Sequence, residues 1–130
     1  MFAIALALFA AQAADGTPEG WSEGDWVLLA ERGTGRYEMD QGALRRDGDL
    51  VRVRVRADLP DAPGGVRRGM GEIELDCRAQ TQRLLNMSGY EAGGALLHRN
   101  DEPAPSGSPP SSESGRANIV TACTRAGWTE

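Results

Sequence analysis

The chain has no lysine, one histidine, two cysteines and few aromatic residues, and each scarcity removes a class of chemistry. All 14 basic residues are arginines, set against 19 acidic ones, and the formal net charge is −5. That balance argues against a general phosphate-binding surface, so nucleic acid is not an expected partner. His98 alone makes a catalytic triad or a multi-histidine metal site hard to assemble. The conceivable set of His98, Asp101 and Ser106 lies around a loop with little preorganised geometry. Two distant cysteines without a CxxC spacing are too few ligands for zinc. Glu72 and Glu74 stand on one strand face opposite arginines, so they stay ionised, unlike a general acid. Gly64-Gly65 and Gly93-Gly94 lack a phosphate-loop lysine and read as turns. The expectation is therefore no catalytic residue, no metal and no cofactor. At 130 residues, one small acidic domain is expected and a large multidomain enzyme is excluded.

What the chain does have begins with an uncharged run from Met1 to Ala14, in which Phe2, Ile4, Leu6, Leu8 and Phe9 sit among alanines. It falls short of the roughly 20 residues that span a bilayer, so a transmembrane anchor is disfavoured. Ala11-Gln12-Ala13 fits the small-x-small pattern of signal cleavage, which predicts a signal peptide over 1–13 and a mature chain starting at Ala14. No positive charge precedes the apolar run, as it does in most leaders. The expected location is periplasmic, or secreted to the cell surface. Both phenylalanines lie in this leader, which leaves Trp21, Trp26, Trp128, Tyr37 and Tyr90 as aromatic bulk and makes the core mostly aliphatic. In an oxidising compartment Cys77 and Cys123 are the only available pair, so a single structural disulfide is expected. Closing the long loop between them contributes about 4 kcal/mol in the chain-entropy account.

Residues 14–25 are acidic and glycine-rich and read as a flexible lead-in. Trp26 to Glu31 and Arg36 to Asp40 are expected strands, separated by the turn signals Gly33 and Gly35. Leu50-Val51-Arg52-Val53-Arg54-Val55-Arg56 alternates strictly, with valines on one face and arginines on the other. Asp47-Gly48-Asp49 turns the chain into it. Glu72-Ile73-Glu74-Leu75-Asp76-Cys77 repeats the parity, so an antiparallel pair would set Arg52, Arg54 and Arg56 beside Glu72, Glu74 and Asp76 on a wet, ion-paired face. Gln82 to Tyr90 and Ala95 to Arg99 are further strands. The Pro/Ser-rich stretch over 100–112 is too polar to fold alone and reads as a mobile surface loop. Glu113 to Arg125 is the expected helix, capped by Ser112 and stopped by Gly127, with Ile119, Cys123 and Ala126 on one face. The fold class is α+β: a single antiparallel β-sheet of about six strands, with a C-terminal α-helix packed on its apolar face and tied to it by one disulfide.

These residues resemble the bacterial surface-adhesin protein E family. The resemblance is carried by Trp26-Val27, Tyr37-x-x-Asp40 leading to Leu44-Arg45, the Val51 to Val55 alternation, Glu72 to Arg78, Arg83-Leu84-Leu85 and Val120 to Cys123. They span about Asp25 to Thr124, and the domain is drawn as 26–130. The resemblance implies an antiparallel sheet carrying a helix, a bridge between the two cysteines, a place at or outside the cell envelope, and adhesion to host or matrix proteins. This chain differs in having the Pro/Ser-rich loop before its helix and no lipid-attachment cysteine.

The leading functional expectation is an exported, non-enzymatic interaction domain whose partner is a protein at or outside the envelope. Its candidate contact surface comprises Trp21, Arg67, Arg68 and Trp128, since aromatic and arginine side chains anchor interfaces. The alternative is a periplasmic housekeeping module that binds a small ligand or an envelope partner, for which the feature to seek is an apolar pocket between sheet and helix. A homodimer through an unprotected edge strand is a further expectation.

Overall fold

The computed structural model describes residues 17–130, so the expected signal peptide and the start of the lead-in lie outside the described residues. Seven strands form one antiparallel sheet: β1 Trp26–Arg32, β2 Gly35–Asp40, β3 Arg45–Asp47, β4 Leu50–Asp58, β5 Arg68–Asp76, β6 Thr81–Tyr90 and β7 Leu96–Asn100. Among the described residues one α-helix, α1, spans Glu113–Arg125. The spatial order is β1-β2-β4-β5-β6-β7, and β3 follows β2 along the same edge of β4. Apart from the step from β2 to β3, which continues along one edge of β4, every connection joins neighbouring antiparallel strands, so the sheet is a meander that needs no crossover.

The expected parity is present. Val51 and Val53 are fully buried, as are Leu75 and Cys77 one strand away, and Ile119, Ala122 and Cys123 of α1 close over them. Val51 pairs with Leu75, and Val53 with Ile73. Cys77 and Cys123 are disulfide-bonded with a Cα–Cα distance of 6.0 Å, which joins the end of the β5 region to the buried face of the helix. The helix begins where expected: the Ser112 hydroxyl accepts from the Gly115 N–H at 3.1 Å, and Gly127 has φ +82° just beyond the end.

Four details depart from the sequence reading. The strand β3 was not foreseen, because three residues of Arg-Arg-Asp carry no hydrophobic alternation to mark a strand. β5 starts at Arg68, four residues before the expected start at Glu72, because Gly69 and Gly71 look like loop residues in one dimension while the β4 edge supplies their partners. β6 carries a bulge between its pairings with Glu72 and Ile73, which explains its broken alternation. The Pro/Ser-rich stretch is also paired along the edge of β6. The Ala104 N–H donates to the Leu84 carbonyl at 2.8 Å, and Ser108 and Gln82 exchange two bonds of 2.9 Å. Prolines flank these donors, so the segment covers the edge while offering few N–H groups of its own.

Candidate functional site

The arginine face of the sheet is the most organised polar surface among the described residues. Arg52, Arg54 and Arg56 project from β4 on the side away from α1, as their alternation requires. Their partners differ from the expected row on β5. Arg52 pairs with Glu72 at 2.9 Å, but Arg54 and Arg56 turn the other way to β2, reaching Asp40 and Glu38 at 3.1 Å each. For Arg56 the reason is register, since it lies opposite Met70 on β5 but opposite Glu38 on β2; Arg54 lies opposite Glu72, whose carboxylate is held by Arg52 and Asn86.

Nor is this face uniformly wet. The Arg52 side chain is 54% exposed, whereas Arg54 is 28% and Arg56 only 16% exposed. The segment before β1 covers them. Arg54 donates to the Gly20 carbonyl at 2.7 Å and to the Glu23 carbonyl at 3.0 Å, and Arg56 donates to the Trp21 carbonyl. The Arg56 guanidinium lies 4.3 Å from the Trp26 ring centroid and 5.0 Å from that of Trp21. Arg54 lies 4.9 Å from the Trp26 centroid, and Arg68 lies 5.1 Å from that of Trp21. Guanidinium planes set against indole faces are attracted by the ring quadrupole and gain further from partial desolvation.

Asp40 anchors this arrangement at the β1 end. Its side chain is 5% exposed. One oxygen accepts from the N–H groups of Asp25 and Gly42 at 2.9 and 3.1 Å, and the other accepts from Arg54. Burial alone would raise its pKa, but the Asp25 N–H, the Arg54 guanidinium and the Gly42 N–H together outweigh that and hold it below the ordinary carboxylate value. Gly24, at φ +126°, is required here because a Cβ would approach the Asp40 carboxylate oxygen to 2.5 Å.

The four residues singled out from the sequence do not form one surface. Trp21 and Arg68 stand together, stacked as described. Arg67 turns inward to the carbonyls of Ala62 and Val66 at 2.9 and 3.0 Å, clamping the loop before β5. Trp128 packs beside the hydrophobic core, and its indole N–H donates to Asp49 at 3.0 Å. Asp49 precedes β4 and lies seven residues from Arg56, roughly 23 Å along an extended strand. Sequence reasoning missed Trp26, Arg54, Arg56 and Asp40. The signal was two tryptophans five residues apart ahead of an arginine row, but their contact requires the chain to fold back over β4.

The opposite face holds a different feature, an open cavity of about 330 Å³ beside α1. Leu29, Tyr37, Val55, Ala57, Ile73 and Met87 contribute to its walls. Among the described residues no cluster of three or more His, Cys, Asp or Glu could hold a metal ion, and no helix is long and apolar enough to cross a membrane.

No curated protein and no solved structure matches the chain. The model of the surface-adhesin protein E family does match, over residues 26–124, from the first residue of β1 almost to the end of α1. That interval contains the whole sheet, both cysteines and the arginine row, and on it the chain belongs to the surface-adhesin protein E family.

Proposed function

We propose that this protein is an exported, non-enzymatic binding module that attaches to a protein at or outside the cell envelope, using the face where Trp21 meets Arg68. Family membership supports a surface-adhesin role, and the chosen face adds a place for it. The observation that carries this reading is the Trp21 ring with the guanidiniums of Arg56 and Arg68 at 5.0 and 5.1 Å from its centroid. An aromatic side chain immobilised before contact loses little further entropy on binding, and tryptophan and arginine are the residues that most often dominate interface energies. Export through a cleaved leader, and a periplasmic or cell-surface location, belong to the same proposal.

The test is binding of the oxidised chain to immobilised extracellular-matrix proteins and to intact cells. Saturable binding that weakens at least tenfold in Trp21→Ala and Arg68→Ala, with unchanged circular dichroism, is the expected result. Absence of saturable binding to either target would remove the adhesin reading. A second copy of the chain has a candidate docking edge in β7, whose Leu96 and Leu97 are exposed. Concentration-dependent sedimentation checks this homodimer.

A second reading, an envelope module that holds a small ligand, is favoured by the cavity beside α1, which lies near the lower end of the ~300–1,000 Å³ range of small-molecule sites.

A further inference from the structure

The cavity has a cause that can be read from the strand pairings. On the helix-facing side of β4 and β5, successive pairs are Val51 with Leu75, Val53 with Ile73, Val55 with Gly71 and Ala57 with Gly69. Side-chain bulk falls steadily toward one end of the sheet. The core under α1 occupies the bulky end, where Val51, Val53 and Leu75 meet Ile119. At the other end Ala57 and Gly69 leave space, which Leu29, Tyr37 and Met87 surround without filling.

The two glycines differ in what they require. A Cβ at Gly71 would overlap the Asn86 carbonyl, so close backbone approach demands glycine there. A Cβ at Gly69 would meet only the Met87 sulfur and the Ser88 carbonyl at 3.7 Å, an ordinary contact, and the Gly69 φ lies outside the left-handed region. Glycine inside a strand costs roughly 0.5–1 kcal/mol relative to alanine. At position 69 neither packing nor backbone geometry calls for that loss, and what the bare position does provide is room.

The lining of the cavity is not wholly apolar. Arg32, which donates to the Ser112 hydroxyl at 2.6 Å, and the carboxamide residues Gln82 and Asn118 contribute to it. Glu38, the one acidic residue of the lining, turns its carboxylate to the other face of the sheet, where it is ion-paired to Arg56 at 3.1 Å and to Arg36 at 3.8 Å. A mostly apolar chamber whose lining includes an arginine and two carboxamide residues suits a molecule with a hydrocarbon tail and an anionic oxygen head.

We propose that this cavity binds the alkyl tail of a medium-chain carboxylate, with the head group at Arg32, Gln82 and Asn118. The proposal rests on the small-ligand reading and names its ligand class. It concerns the face opposite Trp21 and is independent of protein binding there.

The test is methyl-labelled NMR of the oxidised chain titrated with decanoate below its micellar concentration, with decanol and decyltrimethylammonium as comparisons. Saturable shifts of the Met87 and Ile73 methyls are expected, with Val51 and Val53 unmoved. Decanoate should bind about tenfold more tightly than the cationic amphiphile, a factor equivalent to ~1.4 kcal/mol. Gly69→Leu and, on the neighbouring strand, Ala57→Leu should each abolish the shifts by filling the chamber, and either suffices if the other fails to fold. Equal or tighter binding of the cationic amphiphile would overturn the carboxylate assignment while leaving the small-ligand reading in place. No Met87 shift with any of the three probes, or undiminished shifts in a folded filled variant, would overturn both.

Discussion

Arg54 on β4 donates to the carboxylate of Asp40 on β2 at 3.1 Å, and Asp40 in turn holds the Asp25 and Gly42 N–H groups. The pair thus ties the middle of the sheet to the start of β1 and the turn after β2. Removing the carboxylate takes the counter-ion from Arg54 and the acceptor from two backbone donors together. Asp40→Ala should cost about 2–4 kcal/mol in urea unfolding, at the upper end for a hydrogen-bonded charged group because several partners are left unmade. Asp40→Asn, which keeps an acceptor, should cost less.

The same carboxylate sets a pH dependence. Its folded pKa lies below the ordinary value, and that of Glu72 is also lowered. For Glu72 burial opposes the shift, while Asn86 and Arg52 drive it. A depressed carboxylate pKa contributes stability that is fully present above the unfolded value and is lost as pH falls through the folded one. Urea midpoints should therefore hold from neutral pH down to about pH 5 and drop below about pH 4. The drop should be smaller in Asp40→Asn, whose neutral side chain has no proton to gain.

Trp21 and Arg56 form the joint between the segment before β1 and the arginine row. A double-mutant cycle of Trp21→Ala and Arg56→Ala should give a coupling of about 0.5–2 kcal/mol in urea unfolding, within the range of partly desolvated cation–π contacts. Additive effects would mean that the stacking contributes no stability.

Gly71 and Gly69 should respond oppositely to the same change. Gly71→Ala drives a Cβ into the Asn86 carbonyl and should destabilise by about 1–3 kcal/mol or more, since backbone must move. Gly69→Ala meets only ordinary contacts and should be neutral or stabilise by roughly 0.4–1 kcal/mol, through reduced freedom of the unfolded chain. Thermal unfolding of the two variants side by side reads both signs.

The disulfide closes a sequence separation of 46 residues. Chain-entropy loss in the unfolded state then makes it worth about 4 kcal/mol, so the Cys77→Ser, Cys123→Ser double variant should lose close to that amount. Because a domain of this size has a total stability of only about 5–15 kcal/mol, the reduced protein should unfold at markedly lower urea concentration.

Much of this molecule was legible as a string of residues wherever a single element carries its own period. Val51 to Arg56 and Glu72 to Asp76 alternate at period two, and each lies on the face that its parity dictates. Ser112, Arg125 and Gly127 bracket α1 by local hydrogen bonding and backbone preference, and two cysteines leave one intramolecular pairing. These are short-range or exhaustive constraints, so one dimension suffices to state them. The partner of Arg56 depended instead on which neighbouring strand offered a carboxylate in register, and the cover over Arg54 and Arg56 depended on a segment folding back from more than 30 positions away, as in the bond from Arg54 to Gly20. The cavity arose in the same manner: Ala57, Gly69 and Met87 are unremarkable separately, and only sheet pairing sets their small and large side chains around one space. Such features belong to contacts between elements, whose register is decided by the burial of the whole sheet and not by any one strand.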